Sequence, residues 1–329
     1  MSGGSIESIN ASTRFCAVLG HPVGHSASPA MHNAALSERH LNWRYLAAEV
    51  RPEDLRAAIA GARAMRFIGL NLTVPHKTAA LALVDVIQAK AGLLGAVNTI
   101  VFETPGPRGD WIPLGQAADG CITEVRSHGH NTDAEGLARS LQEDFQWTEL
   151  RRLFFPVLGA GNSPVARLAT SLHGASVLLL GAGGAARAAA LQLAEEGVAS
   201  LFLVNRTAAK AEQLAAEVAA RFPAIKIILR LPQEPVDLVI NATSLGLKAS
   251  DPPPLDEDWL KSRRPPRVYD MIYRPAETAF LRAARNAGCQ TANGLGMLLY
   301  QGAAALELWS GLPAPVAVMR AALLKNIYG

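Results

Sequence analysis

Three observations predict a two-domain α/β fold for this 329-residue chain. Short apolar runs alternate with amphipathic helical patterns along most of its length, the rhythm of helices laid on a sheet. Residues 176–190, SVLLLGAGGAARAAA, pass from an apolar strand through a glycine turn into an alanine-rich helix without a spacer. The chain also exceeds the roughly 250 residues at which a single hydrophobic core usually stops growing. The expected architecture is an N-terminal α/β domain, a Rossmann-type doubly wound parallel-sheet domain, and two C-terminal helices that pack back on the first domain.

Taken in order, residues 1–11 are small and polar and read as a flexible tail, without the basic start and apolar centre of a secretory signal. Strands are expected at 15–19, 44–50 and 67–74, with helices at 29–39 and 52–64 between them. A helix then precedes a strand led by Asn98, and the Gly-, Pro- and Asp-rich stretch 103–120 reads as a long loop. The first domain should cover 12–135 and the second 136–296, with an inserted segment at about 150–175 and the boundary inside 132–175. The second domain repeats the rhythm with strands near 177–180, 201–204, 225–229, 237–240 and 267–271. Helices near 297–309 and 315–327 are apolar over a face too wide for an isolated helix, which assigns 297–329 to the first domain.

Composition excludes several function classes. A net charge of +3, from 31 basic and 28 acidic residues, leaves no basic stripe of the kind nucleic acid requires. No run of about twenty apolar residues escapes a charge or a turn signal, so no membrane span is expected. Cys16, Cys121 and Cys289 are odd in number and far apart, which reads as reduced thiols in the cytoplasm. His128 and His130 lie near Cys121 and Asp133, but their spacing matches no common zinc pattern, so no metal site is expected and a solvated loop is the reading.

The glycine turn names a cofactor class. Gly181 permits the tight turn, Gly183 lets backbone approach a phosphate, Ala186 allows close helix-to-strand packing, and the helix N-terminus offers unpaired N–H groups. The next strand ends in Asn205, Arg206 and Thr207, where an NAD site would carry an acid. Arg206, with Lys210 a helical turn further on, suits a 2′-phosphate instead, so NADP is the expected cofactor. A second glycine turn, residues 157–162, is the weaker candidate because Pro164 occupies the close-packing position and no strand with a charged end follows.

The first half carries polar residues that packing alone would not ask for. Ser26 and Ser28 stand just before Pro29, at a helix start where both could face an anion and Ser28 could serve only as the N-cap. NLTVPHK sets Asn71, Thr73 and Lys77 around a turn, GAVNTI supplies Asn98, and HNTD ends in Asp133. Lysine, aspartate and amides at strand ends make a polar cup; His25 and His76, inside these motifs, could line it or satisfy backbone groups.

With these motifs the chain resembles the shikimate dehydrogenases and the related quinate/shikimate dehydrogenases. The resemblance is carried by SxSP at 26–29, NLTVPHK at 71–77, GAVNT at 95–99, NTD at 131–133, GAGGAAR at 181–187, NRT at 205–207, NATSLG at 241–246, YDMIY at 269–273 and NGLGMLLYQ at 293–301, in the family's order. It implies NADP-dependent interconversion of 3-dehydroshikimate and shikimate in chorismate and aromatic amino-acid biosynthesis, by a monomer or homodimer. It implies that Lys77 and Asp133 form the catalytic pair, that Ser26, Ser28 and Tyr273 bind the substrate carboxylate, and that Asn71, Thr73, Asn98, Asp133 and Gln301 read the ring hydroxyls. Gly181, Gly183, Gly184, Ala185, Asn205, Arg206, Thr207, Lys210, Asn241, Thr243, Met271 and Gly294 are implied at the cofactor, Gly294 by letting the backbone approach the nicotinamide.

Some choices stay open at this point. Asp133 favours the charged form of its neighbour and burial the neutral form, so Lys77 as base, Lys77 as positioner and Asp133 as proton acceptor all stand. Quinate/shikimate or aminoshikimate oxidation is the alternative activity, and a non-catalytic NADP-binding sensor the alternative class. The stretch 102–130 is longer than the family's usual hairpin before NTD, and it could be an exposed hairpin, a lid or a subunit contact.

Overall fold

Alternating apolar runs and helical patterns become two α/β units in a computed structural model of the chain, which describes residues 9–118, 121–146 and 172–329. One unit comprises Met1–Gly136 with Leu298–Gly329, the other Leu137–Met297. Residues 157–162 and nearly all of the segment expected to be inserted at 150–175 lie outside the described residues.

The first unit opens with β1 (Arg14–Gly20), α1 (Ser28–Glu38), β2 (Trp43–Glu49), α2 (Leu55–Ala64) and β3 (Gly69–Leu72). There follow β4 (Val86–Ile87), α3 (Ala89–Leu94), β5 (Thr99–Pro105), β6 (Trp111–Pro113), β7 (Arg126–His130) and α4 (Asp133–Asp144), of which only the first turn, through Gly136, falls in this unit. The sheet order is β2-β1-β3-β5-β7-β4, with β6 paired to β5. β1 is parallel to β2 and β3, whereas β5 is antiparallel to β3 and β7. Leu19, Leu55, Ile59, Leu70, Leu72, Ile100 and Phe102 form its core on one face.

The stretch expected as a loop at 103–120 is in part a hairpin. β5 runs on through Pro105, and β6 returns antiparallel with Pro105 opposite Trp111. Gly109, at φ +80°, takes the left-handed position of the turn, and Gly106 N–H donates to Asp110 O at 2.6 Å. The solvated loop expected at His128 and His130 is likewise strand β7, where Val101 pairs with His128 and Thr99 with His130. The histidine rings lie 4.3 Å apart, and Glu103 accepts from Arg126 Nε at 2.8 Å while facing His128 Nδ1 at 3.0 Å. Part of the tail is also tied down, since Asn42 Nδ2 donates to Asn10 Oδ1 at 3.2 Å and to Ser12 Oγ at 3.1 Å.

The second unit contains β8 (Ser176–Leu180), α5 (Gly184–Glu195), β9 (Ser200–Val204), α6 (Ala208–Arg221), β10 (Lys226–Ile228) and β11 (Leu238–Asn241). It continues with α7 (Glu257–Arg263), β12 (Arg267–Asp270), α8 (Ala279–Asn286) and β13 (Gln290–Asn293). The order β10-β9-β8-β11-β12-β13 is parallel throughout, as the doubly wound expectation requires.

Two helices close the chain, α9 (Leu295–Ser310) and α10 (Val316–Tyr328), and from Leu298 onward they belong to the first unit. Trp309 of α9 is fully buried there and donates its indole N–H to Ile100 O at 3.1 Å. Gly69 makes room for it, because a Cβ at that position would stand 2.1 Å from Trp309 Nε1. α10 packs along α1.

Candidate active site

The polar cup of the first unit is assembled where β3 and β7 end and β5 begins. Thr73 N–H continues the sheet by donating to Leu19 O at 2.9 Å, and the chain then turns through Pro75 to Lys77. Lys77 O accepts from Val97 N–H at 2.8 Å, which fixes the lysine backbone beside the entry to β5. Asn131 Oδ1 accepts from Ala134 N–H at 3.3 Å and its Nδ2 donates to Ala96 O at 2.9 Å, so this amide caps the first turn of α4 and ties it to the same entry. Asp133 therefore begins a 12-residue helix, where the dipole favours an anion.

Lys77 Nζ stands 2.7 Å from Asp133 Oδ2, and Asn98 Nδ2 donates to Asp133 Oδ1 at 2.9 Å. Each carboxylate oxygen thus has its own donor. The Asp133 side chain is 10% exposed and that of Lys77 33%, so the carboxylate is sunk and the ammonium reaches solvent. Asn98 is buried and its Oδ1 accepts from Thr132 N–H at 2.7 Å. Asn71 is buried too, with Nδ2 donating to Thr99 Oγ1 at 2.9 Å and Oδ1 accepting from the Tyr45 hydroxyl at 2.7 Å.

Ser28 is not the cap of α1. Ala27 holds that position, and Ser26 Oγ accepts from Ser28 N–H at 3.3 Å. Ser28 is buried. Thr73 shares no side-chain hydrogen bond with these groups among the described residues, and Gln301, on α9, donates to Leu298 O at 2.9 Å. His76 is a core histidine, its Nε2 2.8 Å from Val50 O, while His25 is exposed. Burial lowers the pKa of His130 to about 4, and nearby His128 adds to that. No group of three or more metal-binding side chains occurs among the described residues.

In the second unit, Gly181 follows β8 at φ +113°, where a Cβ would come within 3.0 Å of Ala242 O. Gly183 caps α5 with no side chain, and Gly183, Gly184 and Ala185 are exposed with open space above both glycines. The first N–H groups of a 12-residue helix therefore face solvent, as a phosphate cradle requires. Beyond β9, Arg206, Thr207 and Lys210 are exposed, and neither cation has a side-chain partner among the described residues, whereas Asn205 Nδ2 donates to Thr207 O at 2.8 Å.

Two residues implied at the cofactor have different work. Asn241 is fully buried; its Oδ1 accepts from Thr243 N–H and Oγ1 at 3.0 and 2.7 Å, and its Nδ2 donates to Leu245 O and Asp270 Oδ1 at 3.1 and 3.0 Å. The amide shapes the turn and has no group left to offer a ligand. Gly294 allows close approach to Met271, whose carbonyl would lie 2.1 Å from a Cβ there, so the neighbour that demands glycine is protein backbone. Asp270, missed in the sequence, is fully buried, accepts from Thr278 Oγ1 at 2.6 Å, and has its pKa raised to about 6 by burial. Tyr273 belongs to this unit and its phenol pKa is raised, again by burial.

A parallel doubly wound sheet with a bare glycine turn at its first helix defines a dinucleotide-binding α/β protein. Family profiles sharpen this: the shikimate dehydrogenase substrate binding domain matches residues 18–100, shikimate / quinate 5-dehydrogenase 164–249, and the shikimate 5′-dehydrogenase C-terminal domain 294–324. Shikimate dehydrogenase (NADP(+)) of Moorella thermoacetica is 43% identical over 319 residues, covering 94% of this chain and 92% of its own. A crystal structure of a shikimate dehydrogenase in complex with NADP+ superposes with a TM-score of 0.78 at 34% identity, covering 98% of each chain. The Thermus thermophilus shikimate 5-dehydrogenase in complex with NADP(H) and shikimate gives 0.73 at 33%, over 95% of this chain and 99% of that one. The chain belongs to the shikimate dehydrogenase family.

Proposed function

We propose that this protein is an NADP-dependent shikimate dehydrogenase, reversibly reducing 3-dehydroshikimate to shikimate for aromatic biosynthesis in the cytoplasm, as a monomer or homodimer. The observation that carries the reading is the Lys77–Asp133 pair at 2.7 Å, with Asn98 holding the second carboxylate oxygen. The exposed Gly183–Ala185 turn, with Arg206 and Lys210 exposed and without side-chain partners among the described residues, fits a dinucleotide bearing a 2′-phosphate.

When bound, NADP exchanges a hydride at its nicotinamide C4 with the substrate carbon. Lys77 Nζ gives a proton to the carbonyl oxygen as it becomes a hydroxyl, and takes one back in the oxidation. Asp133 orients the ammonium, and Asn98 fixes Asp133. Ser26, Ser28 and Tyr273 take the carboxylate, while Thr73, Asn71, Asn98 and Gln301 read the ring hydroxyls.

Following absorbance at the nicotinamide band with shikimate and NADP tests this directly. Lys77→Met should lower kcat by about a hundred-fold to ten-thousand-fold. Near-normal turnover in that variant would remove the lysine's role, and a strong preference for quinate with NAD would overturn both the substrate and the cofactor.

A further inference from the structure

Tyr45 carries no motif of the site, yet it sits under it. It lies on β2 with Trp43 as its inward neighbour and is 2% exposed. Its backbone is clamped by one side chain: Asn33 Oδ1 accepts from Tyr45 N–H, and Asn33 Nδ2 donates to Tyr45 O, both at 2.9 Å. Its ring is stacked on His32 with centroids 4.1 Å apart and planes 2° from parallel, and Trp309 closes in at 6.1 Å. Backbone and ring are thus both fixed before the hydroxyl is considered.

That hydroxyl is joined to a residue assigned to the substrate. It donates to Asn71 Oδ1 at 2.7 Å. With Oδ1 held by a donor, the Asn71 amide must point Nδ2 at Thr99, which is the orientation found. Resting on the function proposed above, we propose that Tyr45 is a positioning residue for substrate recognition: its hydroxyl holds the Asn71 amide in one orientation, so that the ring-hydroxyl end of the site is presented in a fixed arrangement.

Tyr45→Phe keeps the stacked ring and removes only the link. In the full chain, the shikimate KM should rise at least about fivefold, as for loss of one hydrogen bond, with kcat and the NADP KM within about twofold of the parent. Asn71→Ala combined with Tyr45→Phe should raise KM by less than the product of the two single effects. An unchanged shikimate KM, multiplicative single effects, or a parallel decline of kcat and of NADP affinity would each overturn the proposal. Should Tyr45→Phe give no folded protein, His32→Leu is read instead, since it spares the hydroxyl but removes the ring that holds it. A shikimate KM raised at least about threefold then supports the proposal, and an unchanged one overturns it. If the parent protein itself does not oxidise shikimate with NADP, it is the functional reading that fails.

Discussion

At the residue scale, charges and buried polar groups decide what can be tested. Arg206 is exposed and has no side-chain partner among the described residues, which suits it to a 2′-phosphate, and a charge-assisted hydrogen bond contributes about 1.5–3 kcal/mol. Arg206→Ala should therefore raise the NADP KM by about ten- to a hundred-fold and leave the NAD KM nearly alone; equal changes for both cofactors would count against the assignment. His32 is fully buried with neither ring nitrogen hydrogen-bonded, and burial lowers its pKa to about 3. A depressed folded-state pKa means that the unfolded chain binds the extra proton first, so stability is intact above about 6.5 and declines as pH falls toward 3. By pH 5 that loss is about 2 kcal/mol from this residue alone. Asp270, with a raised pKa of about 6, acts oppositely, weakening the fold as pH rises from about 4 to 6. Since Asp270 is common to parent and variant, His32→Leu should shrink the difference in urea midpoint between pH 7.5 and 5, and an unaltered difference would refute the account. Sequence reasoning grouped Lys77, Asp133 and Asn98 as polar residues at strand ends that packing alone would not ask for, and the structure hydrogen-bonds the three together. It could not find Tyr45, because an aromatic residue on an inward strand position looks like core.

Elements were legible where their periodicity was strong and illegible where it was weak. The parallel strands of the second unit are short apolar runs, and β8 through β12 lie close to their expected places. β13 is QTAN, an edge strand with no apolar signature, and was not expected. The β5–β6 hairpin was hidden by Gly106, Pro107 and Gly109, turn residues that look like loop until their tight hydrogen bonds are seen. For α9 the critical contact is Trp309, which fills the space above Gly69 and satisfies Ile100 O. Trp309→Ala should cost about 3–5 kcal/mol, enough to be seen as a lower denaturant midpoint for the first unit. A midpoint within error of the parent would mean that the helix is held elsewhere.

On the scale of the whole molecule, the fold class followed from alternation and one glycine turn, whereas the proposed site rests on motifs scattered over the chain. The closing helices were expected with the first domain because their apolar faces were too wide to stand alone, and from Leu298 onward they do belong to that unit. No helix among the described residues is long and apolar enough to cross a membrane. The discontinuity of the first unit has a consequence for biosynthesis. Every residue of Leu137–Met297 is translated before Trp309, so on the ribosome the later unit can finish folding while the earlier one still lacks its lid of two helices. The nascent α1 and β3 surfaces must wait, apolar and uncovered, until Leu298–Gly329 is translated.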